Sequence, residues 1–196
     1  MRSLSAQIAD WCGKYEAVPE QEYPVFVYGL QVILNGTVKI AGILLLGILF
    51  GHGWETVICL LVFCSMRYRT GGYHSSTHIG CFSAMLLPCF LPPFFMGLTG
   101  GWGCCLLLLA GITAFWAIVR YAPVNSRVNP ITSKELLRKN RIISIAECVL
   151  LLAAVLFIRD TAAAWLIVMP LWIDGMLLLP LFCGHRTKSA DMQERC

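Results

Sequence analysis

Six apolar blocks, at residues 28–50, 54–66, 79–98, 103–121, 142–158 and 162–183, leave only short polar connections between them. Most approach the ~20 residues that a helix needs to cross a bilayer. Inside hydrocarbon, backbone N–H and C=O groups must be bonded within the segment, which in runs of this length means helix. The rest of the composition agrees: 58% of the 196 residues are hydrophobic and 13% are charged, against about a quarter charged in soluble domains, and mean hydropathy is +0.71. The expectation is an all-α, polytopic membrane protein with about six transmembrane helices. The stretch before the first block has no continuous apolar core and carries acids throughout. No cleavable signal peptide is expected there, and the first span serves as its own insertion signal.

The basic residues orient the spans. Arg67 and Arg69 follow block two, Arg120, Arg127, Lys134, Arg138, Lys139 and Arg141 separate blocks four and five, and Arg186, Lys188 and Arg195 follow block six. The positive-inside rule makes these regions cytoplasmic, and with them both termini. The net charge of +4 thus reads as topology rather than affinity for nucleic acid. Block two covers only ~20 Å of a ~30 Å core as a helix. Were it not to cross, the basic segment 120–141 would fall outside, so six spans are retained with the second short, tilted or buried against its neighbours.

Before the first span, Leu4, Ile8, Trp11, Cys12 and Tyr15 recur at helical spacing, which predicts an amphipathic helix lying in the cytoplasmic interface or packed on cytoplasmic loops. Pro19 and Pro24 are expected to break the chain before the membrane. The organisation is then an N-terminal amphipathic helix and linker (1–27), a six-span domain (28–183) and a cytoplasmic tail (184–196). Of ten cysteines, Cys59, Cys64, Cys89, Cys104, Cys105, Cys148 and Cys183 fall within or at the ends of apolar blocks, as packing or lipid-facing residues.

The most polar run between apolar blocks is RYRTGGYHSSTHIGC, residues 67–81. Gly71 and Gly72 permit a tight turn, and Ser75, Ser76 and Thr77 can cap the following helix. Cys81 then lies in or near that helix's first turn, where the positive end of the dipole favours a thiolate. On one straight helix His74 and Cys81 would lie ~10 Å apart; a bend between them makes a cysteine nucleophile with an imidazole base. Alternatively His74, His78 and Cys81 form H-x3-H-x2-C, three potential zinc ligands on one helical face. A polar boundary loop without chemistry is the third reading.

With its GGYH and the cysteine seven residues beyond that histidine, this segment resembles the signature of the accessory gene regulator B (AgrB) family, membrane cysteine endopeptidases of bacterial quorum sensing. YGLQVILN at the start of span one and YAPVNSRVNPI after span four also resemble it, in order along the chain. The resemblance implies cleavage of the C-terminal tail of an AgrD-like precursor peptide at the cytoplasmic side of the bacterial cell membrane. It makes Cys81 the nucleophile and His74 the base, with an acyl-thioester intermediate that a residue of the peptide attacks to close a thiolactone or lactone. It implies a homodimer and needs no cofactor or metal.

Gln31, Asn35 and Lys39 recur every four residues on span one. Such a stripe should face the protein interior, either to bond helices together or to serve the site. Gln31 matches the family's glutamine and is expected at the depth of Cys81, where its amide could donate to an oxyanion. Glu55, Glu147 and Asp174 are candidate partners for Lys39, and Asp174, midway along block six, is expected too deep to orient His74. Arg67 anchors at lipid headgroups or binds a peptide carboxylate. In the loop after span four, Thr132 can cap a helix with Glu135 three residues later, and the basic residues there suit an acidic peptide tail or the anionic leaflet. A rival from another class is a small transporter or channel whose pathway is lined by Gln31, Asn35 and Lys39.

Overall fold

The computed structural model describes residues 23–71, 78–97, 101–124, 133–158 and 160–179, with Gln31, His78 and Cys81 described by their backbone. The expected amphipathic segment before residue 23 and the tail 184–196 lie outside the described residues. What is described is helical: α1 (Tyr23–Leu49), α2 (Gly53–Thr70), α3 (His78–Phe90), α4 (Pro92–Met96), α5 (Gly101–Tyr121), α6 (Lys134–Phe157) and α7 (Thr161–Leu177). Three stretches, Val32–Leu49 in α1, α5 and α6, are long and apolar enough to cross a membrane.

Several boundaries differ from those the apolar blocks suggest, each for a local reason. Pro24 does not break the chain; it sits in the first turn of α1, where a missing N–H costs no intrahelical bond. Block two becomes an 18-residue helix reaching Thr70, ~27 Å long, because Arg67 and Arg69 continue the helix instead of ending it. The single span expected over 79–98 is broken at Leu91 into α3 and α4, since Pro92 opens α4 and cannot donate to the preceding turn. α6 begins at Lys134, capped by Ser133, whose hydroxyl accepts from Leu136 N–H at 3.4 Å; the expected cap, Thr132, lies outside the described residues. α7 ends at Leu177 although the apolar run continues beyond it.

α7 is the axis of the bundle. Ten of its 17 residues are buried, from Ala164 to Gly175, and it packs on α2 through α6. Trp165, Met169 and Ile173 meet Phe63 of α2, while Leu171 and Leu178 join Met66, Ala114, Ile118 and Cys148. At Gly175 a Cβ would stand 3.2 Å from Ala114 Cα and 3.3 Å from its carbonyl oxygen, so α5 and α7 touch backbone to backbone there. Small residues allow such close approach between membrane helices. α2 is likewise central, in contact with α1, α3, α6 and α7, which bears out its expected burial against neighbours. Large apolar side chains such as Leu150, Leu156, Phe157 and Trp102 face outward, as lipid as solvent requires.

Candidate active site

The segment singled out in the sequence leaves α2 at Gly71 and returns at His78, the first residue of α3. Gly72 and His74 lie outside the described residues, as do the proposed caps Ser75, Ser76 and Thr77. Cys81 is the fourth described residue of α3.

The end of α2 is held from three sides. Arg67 Nη1 lies 3.4 Å from Asp174 Oδ1, and Thr70 Oγ1 lies 2.9 Å from Asp174 Oδ2. The threonine hydroxyl is also 3.1 Å from Met66 O, so its one proton is shared between carbonyl and carboxylate. Arg69 pairs with Glu147 of α6. The chain after α5 closes the third side, where Val124 N–H donates to Thr70 O at 2.8 Å and Val124 forms a parallel bridge with Gly71. Gly71 has φ +66° and ψ −134°, a conformation almost confined to glycine. A Cβ there would overlap Val124 O, so two independent constraints require glycine at this exit.

α1 and α3 run side by side in the same direction. The ring of Phe82 lies 3.8 Å from where a Cβ on Gly42 would stand, and the rings of Phe50 and Phe90 are 5.8 Å apart. Both pairs are forty residues apart in sequence. On that register Cys81 is level with Ala41, and Lys39 with Ile79. Gln31 lies ten residues before Ala41, ~15 Å nearer the N-terminal end of α1, rather than at the depth of Cys81. It is level instead with the α2 exit. Gly47 packs on Thr56, and from that contact both Gln31 and Thr70 are ~21–24 Å along their helices.

Asn35 and Lys39 lie in phase with the buried face of α1. Stepping by four, Gln31, Asn35 and Lys39 lead to Ile43 and Gly47, both buried. At about 100° per residue, Lys39 points between Gly42, which faces α3, and Gly47, which faces α2. Asn35 and Lys39 are half-buried. None of the acids considered as partners for Lys39 pairs with it. Glu55 lies 3.8 Å from His52 Nδ1, Glu147 binds Arg69 and Asp174 binds Arg67.

Two expectations are thereby corrected. Arg67 is directed to a buried carboxylate rather than to headgroups, and its side chain is 18% exposed. Asp174 is not midway along its helix, because α7 ends at Leu177 and leaves the carboxylate in the last turn, level with the α2 exit. Nothing in the sequence marks Thr70 as its ligand; the clue available was an acid in the last span and arginines at the end of the second. The zinc reading rests on His74, His78 and Cys81, whose side chains lie outside what is described.

Comparison with known proteins supplies the frame for this geometry. The family model described as accessory gene regulator B matches residues 5–178. The chain is 25% identical over 165 residues to "Putative AgrB-like protein 1" of Clostridium perfringens, covering 83% of this chain and 84% of that one. It is 29% identical over 161 residues to "Protein FsrB" of Enterococcus faecalis, covering 79% of this chain and 63% of the relative. It is 25% identical over 155 residues to "Accessory gene regulator protein B" of Staphylococcus aureus, covering 79% and 81%. No solved structure matches. With a match that runs from before α1 to the end of α7, the chain belongs to the accessory gene regulator B family.

Proposed function

We propose that the protein is a membrane-embedded cysteine endopeptidase that removes the C-terminal tail of a quorum-sensing propeptide and promotes cyclisation of the product. The observation that carries this reading is an α2 exit clamped four residues before His74, with Cys81 the fourth described residue of α3 on the returning chain. In this mechanism the Cys81 thiolate attacks the scissile carbonyl and the electron pair moves to oxygen. Collapse of the tetrahedral adduct breaks the C–N bond, and the imidazolium of His74 protonates the leaving amine. The acyl group remains on Cys81 as a thioester. A thiol or hydroxyl within the bound peptide loses its proton to His74 and attacks that thioester, forming the ring and releasing the Cys81 thiolate. Exchange of one thioester for another keeps the bond energy, provided water is excluded.

The register of α1 supports two roles for the stripe. Lys39, level with the first turn of α3, is the cation best placed for the developing oxyanion. Gln31, level with the α2 exit, belongs to the rim, where its amide holds the precursor or the segment carrying His74; Asn35 lies between them. The basic residues after α2 and α5 support a six-span topology with both termini and the site on the cytoplasmic side of a bacterial membrane. The AgrD-like precursor, a homodimer and contact with lipid complete the reading.

The test is coexpression with an epitope-tagged AgrD-like precursor. Cys81→Ala should abolish cleavage while membrane insertion and protein level stay normal. Cleavage by that variant at the normal rate would refute the peptidase reading and leave the channel or a metal mechanism.

A further inference from the structure

We propose that Asp174 is a positioning residue of the active site, acting through Arg67 and Thr70 to hold the chain that carries His74; this rests on the peptidase reading above. Asp174 is completely buried in a helix surrounded by apolar packing. An ionised carboxylate there is costly unless it is paired and its lone pairs are satisfied. Arg67 meets one oxygen at 3.4 Å and Thr70 the other at 2.9 Å. The two ligands are three residues apart, hence on one face of α2, and both belong to its last turn. A pair that only fastened helices together could sit anywhere along α2; this one sits immediately before Gly71.

The carboxylate is also mounted where α5 and α7 meet backbone to backbone. Gly175, its neighbour, is in backbone contact with Ala114 of α5, and Leu171 and Leu178 flank it in the core. Asp174 is therefore a fixed point from which the exit of α2 is located. α3 is located separately, by Phe82 on Gly42 and Phe90 on Phe50. The end of α2, from which the chain runs on toward His74, and the helix that carries Cys81 are thus held by different contacts, and the Asp174 clamp sets where that chain begins. The carboxylate exerts this effect at a distance, and neither thiol nor substrate needs to touch it.

The experiment follows alkylation of Cys81 by iodoacetamide in membranes holding the full chain, read by mass spectrometry of the Cys81 peptide across acidic to alkaline pH. His74→Ala sets the rate without the imidazole. Asp174→Asn should slow alkylation at neutral pH by about tenfold or more, toward the His74→Ala profile, the scale on which a basic partner raises thiolate content. Asp174→Glu, which keeps the charge, should recover most of the rate. Because Asp174→Asn takes this carboxylate away from the Arg67 guanidinium, the double variant Asp174→Asn/Arg67→Gln removes both charges and keeps the fold testable. It should be no slower than Asp174→Asn alone. A wild-type pH profile in either folded variant, with His74→Ala shifted, overturns the role of Asp174 alone. A His74→Ala profile identical to wild type overturns the dyad and this proposal with it.

Discussion

Replacing Gly71 by alanine isolates the geometry of the α2 exit from its chemistry, because no functional group is added or removed. At φ +66° and ψ −134° a residue with a Cβ costs about 1–3 kcal/mol. The new methyl would also overlap Val124 O, a backbone atom that cannot rotate away. Relief requires Val124 to retreat and its 2.8 Å hydrogen bond to Thr70 O to break, at about 1 kcal/mol more. A penalty of about 2–4 kcal/mol confined to one turn is too small to dissolve seven packed helices. It is enough to depopulate the wild-type exit by ~30-fold or more. Precursor cleavage by the purified protein in nanodiscs should fall by that factor, with circular dichroism and melting little changed. Gly97→Ala is the control, since nothing lies within 4 Å of a Cβ there, and it should cleave normally. Wild-type cleavage by Gly71→Ala would refute the claim that this exit is conformationally specified.

Other outcomes follow from the same packing. Lys39→Met should lower kcat for cleavage by at least ~10-fold with little change in KM, whereas Gln31→Ala should act mainly on KM; single-turnover kinetics with a synthetic precursor separates the two. Gly175→Leu should drive α5 and α7 apart and cost about 1–3 kcal/mol, seen as lower melting in detergent and reduced yield. Ser133→Ala removes only the cap of α6, so melting should drop by the equivalent of about 0.5–1 kcal/mol while cleavage proceeds normally.

Much of the architecture is legible in the sequence because the membrane imposes it. Apolar runs of span length locate α1, α5 and α6. Helix ends are harder wherever apolar residues run on past them, as after Leu177, or where charged residues continue a helix, as at Arg67 and Arg69 in α2. The depth of Asp174 is hidden from the sequence for that reason: its helix stops six residues before the apolar block does. The ligands of that carboxylate lie more than a hundred residues away in sequence, and no local periodicity reports such a pairing. Gln31 shows the same limit from the other side. The stripe it heads was readable as an inward face, but its level relative to Cys81 depends on the register of α1 and α3, set by Gly42 on Phe82 and Phe50 on Phe90.

The most direct test is capture of the covalent intermediate. The protein is mixed with a precursor whose ring-closing residue is replaced by alanine, so that the acyl group cannot leave by cyclisation, and intact mass is measured after acid quench. The prediction is an adduct equal to the precursor without its C-terminal tail, attached at Cys81 and released by neutral hydroxylamine, as a thioester is. Cleavage that proceeds with no adduct, or an adduct that persists in Cys81→Ala, would contradict nucleophilic catalysis by Cys81.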